Sequence, residues 1–268
     1  MNLVPGNGKL IVGWDSPQVR DVVASMGRKL FTQLETFGTS DARWQAREID
    51  YSESMTRFRV FREGQQWGEF RTSLIGEFNV LNCLAVVGAA DAWGIEHKAI
   101  AHALATFKSV SRRCEVRGEV NGIIVIDDVA HHPTAVRETL SALRLKYKDR
   151  RIIAVFEPRS WSSRLAVFQD EYANAFVPGD YVVISRVFDA HRAAEMGGVL
   201  DAAKLSDDIA AHNNPAFAIT DLDEIVRSLS AELRSGDVVA IMSNGGFGGI
   251  HQKLLEALDA TQPHSLAP

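Results

Sequence analysis

Asn121-Gly122-Ile123-Ile124-Val125-Ile126-Asp127-Asp128-Val129-Ala130-His131-His132-Pro133-Thr134 decides the fold. Asn-Gly is the dipeptide of a tight hairpin turn, because both residues tolerate a left-handed backbone. Four branched apolar residues follow without alternation, as in a strand buried on both faces. Pro133 then suits the first turn of a helix, which needs no N–H there. The stretch therefore reads as hairpin, buried strand, loop and helix, with two carboxylates and two imidazoles at the strand-to-helix passage.

The pattern continues outward on the C-terminal side. Helices are expected near 133–147, 162–176, 201–212, 222–233 and 249–260, with apolar strands near 151–156, 181–186, 216–220 and 237–242. Such alternation describes a mostly parallel sheet covered by helices on both faces. Upstream, Glu115–Val120 is the partner strand of the hairpin. Earlier still the chain is mixed. A short strand is expected at Lys9–Val12, then a helix from Ser16-Pro17 to Met26 ended by Gly27. Antiparallel pairing is expected over 43–73, with Glu63-Gly64-Gln65-Gln66 turning and Trp67–Thr72 returning. Helices follow near 77–92 and 96–107. The fold class is α/β, with two domains, 1–112 and 113–268. The tail from Thr261 to Pro268 reads as loose.

Bulk properties narrow the function. The 268 residues carry 29 basic and 34 acidic side chains, a net charge of −5. That balance offers no basic excess for nucleic acid or an anionic membrane. No apolar run nears the ~20 residues that span a bilayer. Two cysteines, Cys83 and Cys114, at no metal-ligand spacing, fit a reducing cytoplasm.

Ligands of open α/β sheets bind outside the carboxyl ends of the strands. The expected ends are Ile126, Phe156, Val187 and Met242. After the last comes Ser243-Asn244-Gly245-Gly246-Phe247-Gly248-Gly249, where glycines and a helix start could admit a carboxylate or phosphate, or merely make a tight turn. Asp127, Asp128, His131 and His132 could be a metal-dependent hydrolase site, a proton-transfer group, or a solvated loop with a helix cap. Asn79 and Asn82 share a helix face and could read a purine edge, or be N-cap and polar surface. Arg112, Arg113 and Arg159 could grip phosphate or carboxylate, or be solvated charges. Asp189, His191 and Arg192 form a looser loop group.

Taken in order, Gly76-x-x-Asn79-x-x-Asn82, Arg112-Arg113-x-Glu115 and Asp127-Asp128-x-Ala130-His131-His132-Pro133-Thr134 resemble the Mur ligases. So do Phe156-Glu157-Pro158-Arg159-Ser160 and Met242 to His251. These are ATP-dependent amide-bond-forming enzymes of the bacterial cell wall. The resemblance runs from Val4 to Leu258. It is nearest the branch that joins recycled L-alanyl-γ-D-glutamyl-meso-diaminopimelate to UDP-N-acetylmuramate. It implies ATP and Mg2+ as cofactors, a muramyl acyl phosphate, and attack on it by the peptide amine. It implies a Rossmann-like C-terminal domain preceded by part of an α/β ATP-binding domain. It places Asn79 and Asn82 at the adenine, Arg113 at the phosphates, Asp128 at the ribose and His131 near the transferring group. Arg159, Ser243, Asn244, Gly245 and Gly246 fall near the peptide. The family's usual aromatic after the double Asp is Val129 here, and its usual His before the first Asn is Phe78.

No G-x-x-x-x-G-K-[ST] loop occurs in the chain. Nor does the family's acidic magnesium stretch or its UDP-sugar domain. The expectation is a C-terminal portion of the ligase, inactive alone, complemented by an N-terminal half or self-associating through an exposed sheet edge. The rival readings are a non-catalytic nucleotide- or peptide-binding module and the metal-dependent hydrolase.

Overall fold

The computed structural model describes residues 4–27, 31–52, 54–195, 198–212 and 214–260. The tail from 261 onward, read as loose, lies outside the described residues. The chain divides into two compact units, Met1–Ser109 and Val110–Pro268.

The first unit is built on a five-stranded sheet of β1 (Lys9–Gly13), β2 (Gln33–Gly38), β3 (Trp44–Tyr51), β4 (Thr56–Arg62) and β5 (Gln65–Thr72), in that spatial order. The first three strands pair parallel and the last three antiparallel. Helix α1 (Pro17–Met26) starts where Ser16 Oγ accepts from the Val19 N–H, and it ends at Gly27 with φ 46°. The turn between β4 and β5 is two residues, not four. Glu63 and Gly64 both take positive φ, and Arg62 pairs with Gln65. Strand β2 has no apolar alternation to announce it. Its inward position is Glu35, 3% exposed, which accepts from Trp44 Nε1 at 3.1 Å and pairs with Arg43 at 3.2 Å. A buried charge is tolerated only when its oxygens are engaged, as here. Helices α2 (Glu77–Ala92) and α3 (His97–Thr106) close a core that includes Trp44, Phe58, Val60, Leu84 and Ile100.

The second unit carries a six-stranded sheet of β6 (Glu115–Val120), β7 (Ile123–Asp128), β8 (Ile152–Phe156), β9 (Tyr181–Ile184), β10 (Ala216–Ala218) and β11 (Val238–Met242). Its order is β10-β9-β8-β11-β7-β6. Every pair is parallel except the β6–β7 hairpin, whose Asn121 and Gly122 turn at φ 55° and 76°. The helices are α4 (Pro133–Lys146), α5 (Gln169–Ala175), α6 (Ala190–Ala194), α7 (Ala202–Ala210), α8 (Leu222–Glu232) and α9 (Ile250–Ala260). All residues of β7, β8 and β11 are buried, and each large aliphatic side chain so placed contributes about 1.5–3 kcal/mol.

Three boundaries depart from the sequence reading, for local reasons. Asp127 and Asp128 belong to β7 rather than to the loop after it. The helix expected at 162–176 begins only at Gln169, after a 3-10 turn at Ala166–Phe168. Ser160 Oγ accepts from the Ser163 N–H at 3.0 Å, and Arg164 donates to Ser160 O and to the Phe188 and Asp189 carbonyls, each at 3.3 Å. Those side chains hold 160–165 in turns where helix bonds would otherwise form. Strand β9 stops at Ile184, so its carboxyl end opens onto Ser185 rather than beyond Val187.

Candidate functional site

The carboxyl ends of β7, β11 and β8 lie side by side, and the ladder continues past them. Ser243 N–H donates to Asp128 O at 3.0 Å, Glu157 N–H to Met242 O at 3.0 Å, and Ser185 N–H to Phe156 O at 2.9 Å. The parallel strands β8 and β11 are where the strand order switches. From β8 the chain moves to β9 and β10, then returns through α8 to β11. Such a switch point opens a crevice at the strand ends. The segments that follow the two strands here are Glu157–Ser160 after β8 and Ser243–Gly249 after β11.

Strand geometry separates the two carboxylates. Successive side chains point to opposite faces. Asp127 faces α9, where His251 Nε2 stands 3.4 Å from Asp127 Oδ1. Asp128 faces α4 and accepts from Thr139 Oγ1 at 3.3 Å. It also accepts from the Ala130 N–H and the Cys114 N–H, both at 2.7 Å, and from Cys114 Sγ at 3.3 Å. Four donors fill the sites a carboxylate offers. His131 Nδ1 lies 2.7 Å from Val129 O. A carbonyl only accepts, so Nδ1 carries a proton and Nε2 is the acceptor of the neutral ring. The His131 ring could donate from Nε2 only when charged. His132 packs edge-on against Phe168, with ring centroids 5.0 Å apart.

The Asp-Asp-x-x-His-His stretch is thus not one cluster. Among the described residues no group of three or more His, Cys, Asp and Glu side chains could hold a metal. The metal-dependent hydrolase reading has no convergent ligand set, and no donor set for Mg2+ is formed by these residues. The helix-cap alternative also fails: His132 is the N-cap of α4 without a side-chain bond.

Asn79 and Asn82 lie in the first turns of α2. Gly76, with φ 89°, takes the N-cap position, so neither asparagine caps the helix as the alternative reading expected. Asn79 Nδ2 donates back to Ile75 O at 2.8 Å, and Asn82 Nδ2 to Asn79 Oδ1 at 3.4 Å. Arg113 is exposed in the segment leading into β6. Its neighbour Arg112 turns the other way. At φ 61° it sends its guanidinium to Asp127, and its Nη2 donates to Ser243 O at 2.6 Å and Gly245 O at 2.7 Å.

Peptide-side candidates do come together. Ser243 Oγ donates to Glu157 Oε2, and Gly245 N–H donates to Ser243 Oγ at 3.0 Å. Arg159 lies over the Phe188 ring at 3.9 Å and reaches Glu157 Oε1 at 3.5 Å. A Cβ on Gly245 would overlap Arg159 Nε and Cδ and stand 2.8 Å from Cζ, so this glycine admits the guanidinium stem. Gly248 and Gly249 supply positive φ, and Gly246 has open space around its Cα. Asn244 and Gly246 are exposed. Of the group read as loop, only Asp189 lies outside helix, where it anchors Arg164, while His191 and Arg192 fall in α6; Arg192 lies 5.0 Å over Trp161, and His191 faces Glu195 at 3.7 Å on the surface.

The sequence reading included His251 only as the end of the Met242–His251 stretch, without a role, and gave Asp127 no partner. His251 is 9% exposed. Burial pushes its imidazole below the usual range against the pull of Asp127, and Arg117 and Arg112 push the same way as burial. One signal was available: His251 stands among Ile250, Leu254 and Leu258 on a core-facing helix stripe. A buried polar side chain there calls for a polar neighbour, and Asp127 is that neighbour, although His251 Nε2 makes no hydrogen bond.

These features define a class of protein: the chain belongs to the Mur ligase family. Residues 112–245 match the Mur ligase glutamate ligase domain, and 1–90 the Mur ligase middle domain. The chain is 36% identical, over 259 residues, to the UDP-N-acetylmuramate–L-alanyl-gamma-D-glutamyl-meso-2,6-diaminoheptandioate ligase of Escherichia coli (strain K12). That match covers 96% of this chain and 53% of the relative. It is 34% identical to the UDP-N-acetylmuramate–L-alanine ligase of Acaryochloris marina, covering 92% of this chain and 52% of the relative. The chain spans about half the length of the curated relatives it matches. A crystal structure of a murein peptide ligase from Psychrobacter arcticus superposes with TM-score 0.68 at 29% identity, over 97% of this chain and 53% of that one. MurF ligase from Thermotoga maritima, in complex with ADP, shares the fold, with TM-score 0.67 at 18% identity over 95% of this chain and 54% of that one. Among the described residues no helix is long and apolar enough to cross a membrane.

Proposed function

We propose that this chain is the C-terminal portion of an ATP-dependent cytoplasmic ligase that joins a peptide to UDP-N-acetylmuramate. Its peptide would be L-alanyl-γ-D-glutamyl-meso-diaminopimelate. The observation that carries the peptide half of the reading is the packing of Arg159 against Gly245 at the β8–β11 strand ends. A fixed guanidinium beside exposed loop residues suits a substrate rich in carboxylates. The tripeptide is favoured over alanine by the Phe156–Ser160 and Met242–His251 stretches and by the Escherichia coli relative. Matches to alanine ligases are also extensive, so the two amines must be compared directly.

In this reading the γ-phosphoryl group of ATP passes to the muramyl carboxylate and ADP leaves. The peptide amine attacks the acyl carbon, and phosphate departs as the amide forms. Catalysis of such transfers is mainly positioning and charge stabilisation. Magnesium would supply charge neutralisation at the phosphates. Arg113 would reach the phosphates, Asn79 and Asn82 the adenine, and Asp128 the ribose hydroxyls. Asp128 already accepts four hydrogen bonds. It would hold the ribose by exchanging one of them, most readily the weak Cys114 Sγ contact.

The test is phosphate release from ATP with magnesium, UDP-N-acetylmuramate and either tripeptide or L-alanine. It is run on the chain alone and with the N-terminal half of a relative added. The expected result is no turnover alone and tripeptide-dependent turnover on complementation. Preference for L-alanine would overturn the specificity, and turnover by the chain alone would overturn its dependence on another half.

A further inference from the structure

Arg112 is fastened twice, in ways that can be separated. Its backbone is held by its own N–H donating to Glu115 Oε2 at 2.7 Å and by its carbonyl accepting from the Val129 N–H at 3.0 Å. Neither bond uses its side chain. The guanidinium goes elsewhere: Nε to Asp127 Oδ2 at 3.2 Å, and Nη2 to the carbonyls of Ser243 and Gly245 at 2.6 and 2.7 Å. Those bonds close a gap of more than 130 residues. They pin the one turn whose glycine lies against Arg159, and whose serine holds Glu157, the carboxylate beside Arg159. The planar fork does what a single ammonium could not, because it spans a carboxylate and two carbonyls at once. A bond between buried groups could serve stability alone. This one ends on a turn whose flanking Asn244 and Gly246 are exposed at the strand ends.

We propose that Arg112 is a positioning residue for the peptide substrate: it clamps the Ser243–Gly245 turn and thereby sets Arg159. This rests on the reading of Arg159 as a peptide-side donor. A misplacement of about 1 Å can cost about 100-fold in rate, and disturbing a charge-assisted contact costs affinity too, so loss of the clamp reaches the peptide. It spares the nucleotide side, because Arg113 is carried by backbone that Glu115 and Val129 hold independently.

The experiment is calorimetric titration of the chain with L-alanyl-γ-D-glutamyl-meso-diaminopimelate and, separately, with ADP. It compares wild type, Arg112→Ala, Arg112→Lys and Arg159→Ala. The proposal expects Arg112→Ala to weaken peptide binding by about tenfold or more while ADP binding stays within about threefold. Arg112→Lys should recover part of the peptide affinity. Removing Arg112 leaves the buried Asp127 without its guanidinium partner; where Arg112→Ala does not fold, Arg112→Gln combined with Asp127→Asn, which strands no charge, is judged by the same criteria. Peptide affinity within about twofold of wild type in the variant, with Arg159→Ala weakened, overturns the positioning role and leaves the reading of Arg159 intact. Equal loss of both ligands also overturns it, since that is what a purely structural role produces. Absence of peptide binding in wild type, or an Arg159→Ala variant that binds as wild type does, overturns the reading and the proposal with it.

Discussion

Asp127 and Asp128 adjoin in sequence yet serve opposite sides of a sheet, and Cys114 shows what this does to reactivity. Its Sγ donates to Asp128, and burial, followed by that carboxylate, raises the thiol well above its usual range. Burial likewise raises Cys83 from 9.0 to about 11. Thiolate is the attacking form. Both thiols should therefore resist a disulfide reagent at pH 8 in the folded chain, and two per chain should react after denaturation. Rapid reaction of either one before unfolding would contradict this burial. The sign of the linked stability is fixed too. A group that holds its proton more tightly when folded stabilises the fold at low pH. That contribution is lost as pH rises from about 9 through the folded values. The residue types at the strand ends were legible in the sequence. Which of them touch was not: Arg112 reaches Ser243 and Gly245 across the chain, and no spacing rule encodes that contact.

At the scale of elements, the β6–β7 hairpin follows from Asn121-Gly122 almost unaided. The two-residue turn needs left-handed backbone at both positions. A side chain at Gly122 would meet that strain and would also overlap Ser235 Oγ. Gly122→Ala should lower stability by about 2 kcal/mol, read as a shifted denaturation midpoint with unchanged slope. A midpoint unmoved by the substitution would mean that the turn has another route. The segment 161–168 shows the converse. Its apolar spacing suggests a helix, but local bonds between Ser160 and Ser163 and the bonds of Arg164 to the distant Phe188 and Asp189 carbonyls hold its first part in turns. Strand β2 escaped the sequence reading because its buried position is Glu35, and no hydrophobic pattern reports a charge neutralised by Lys9 and Arg43.

Across the whole molecule, each unit has its own core, one around Trp44, Phe58 and Leu84, the other around Val125, Val155 and Ile241. Four of the five tryptophans, Trp14, Trp44, Trp67 and Trp93, belong to the first unit, and Trp161 alone to the second. Tryptophan emission should therefore follow the first unit, whereas far-ultraviolet dichroism follows both. Urea unfolding monitored by the two signals should give transitions that do not coincide. Superimposable curves would show the units to be one cooperative body.

The sequence by itself determined the α/β class, the order of strands and helices in the second unit apart from the short α6, and the family. Those properties rest on periodicity, turn chemistry and contiguous motifs, which are local. Tertiary structure alone decided that the paired acids part company and that His251 joins Asp127. It alone set Arg112, Gly245 and Arg159 in one line of contacts at the strand ends. The physical reason is that β11 inserts between β7 and β8, two strands far earlier in the chain. Side chains more than a hundred residues apart thereby become neighbours, and only the closed sheet specifies which.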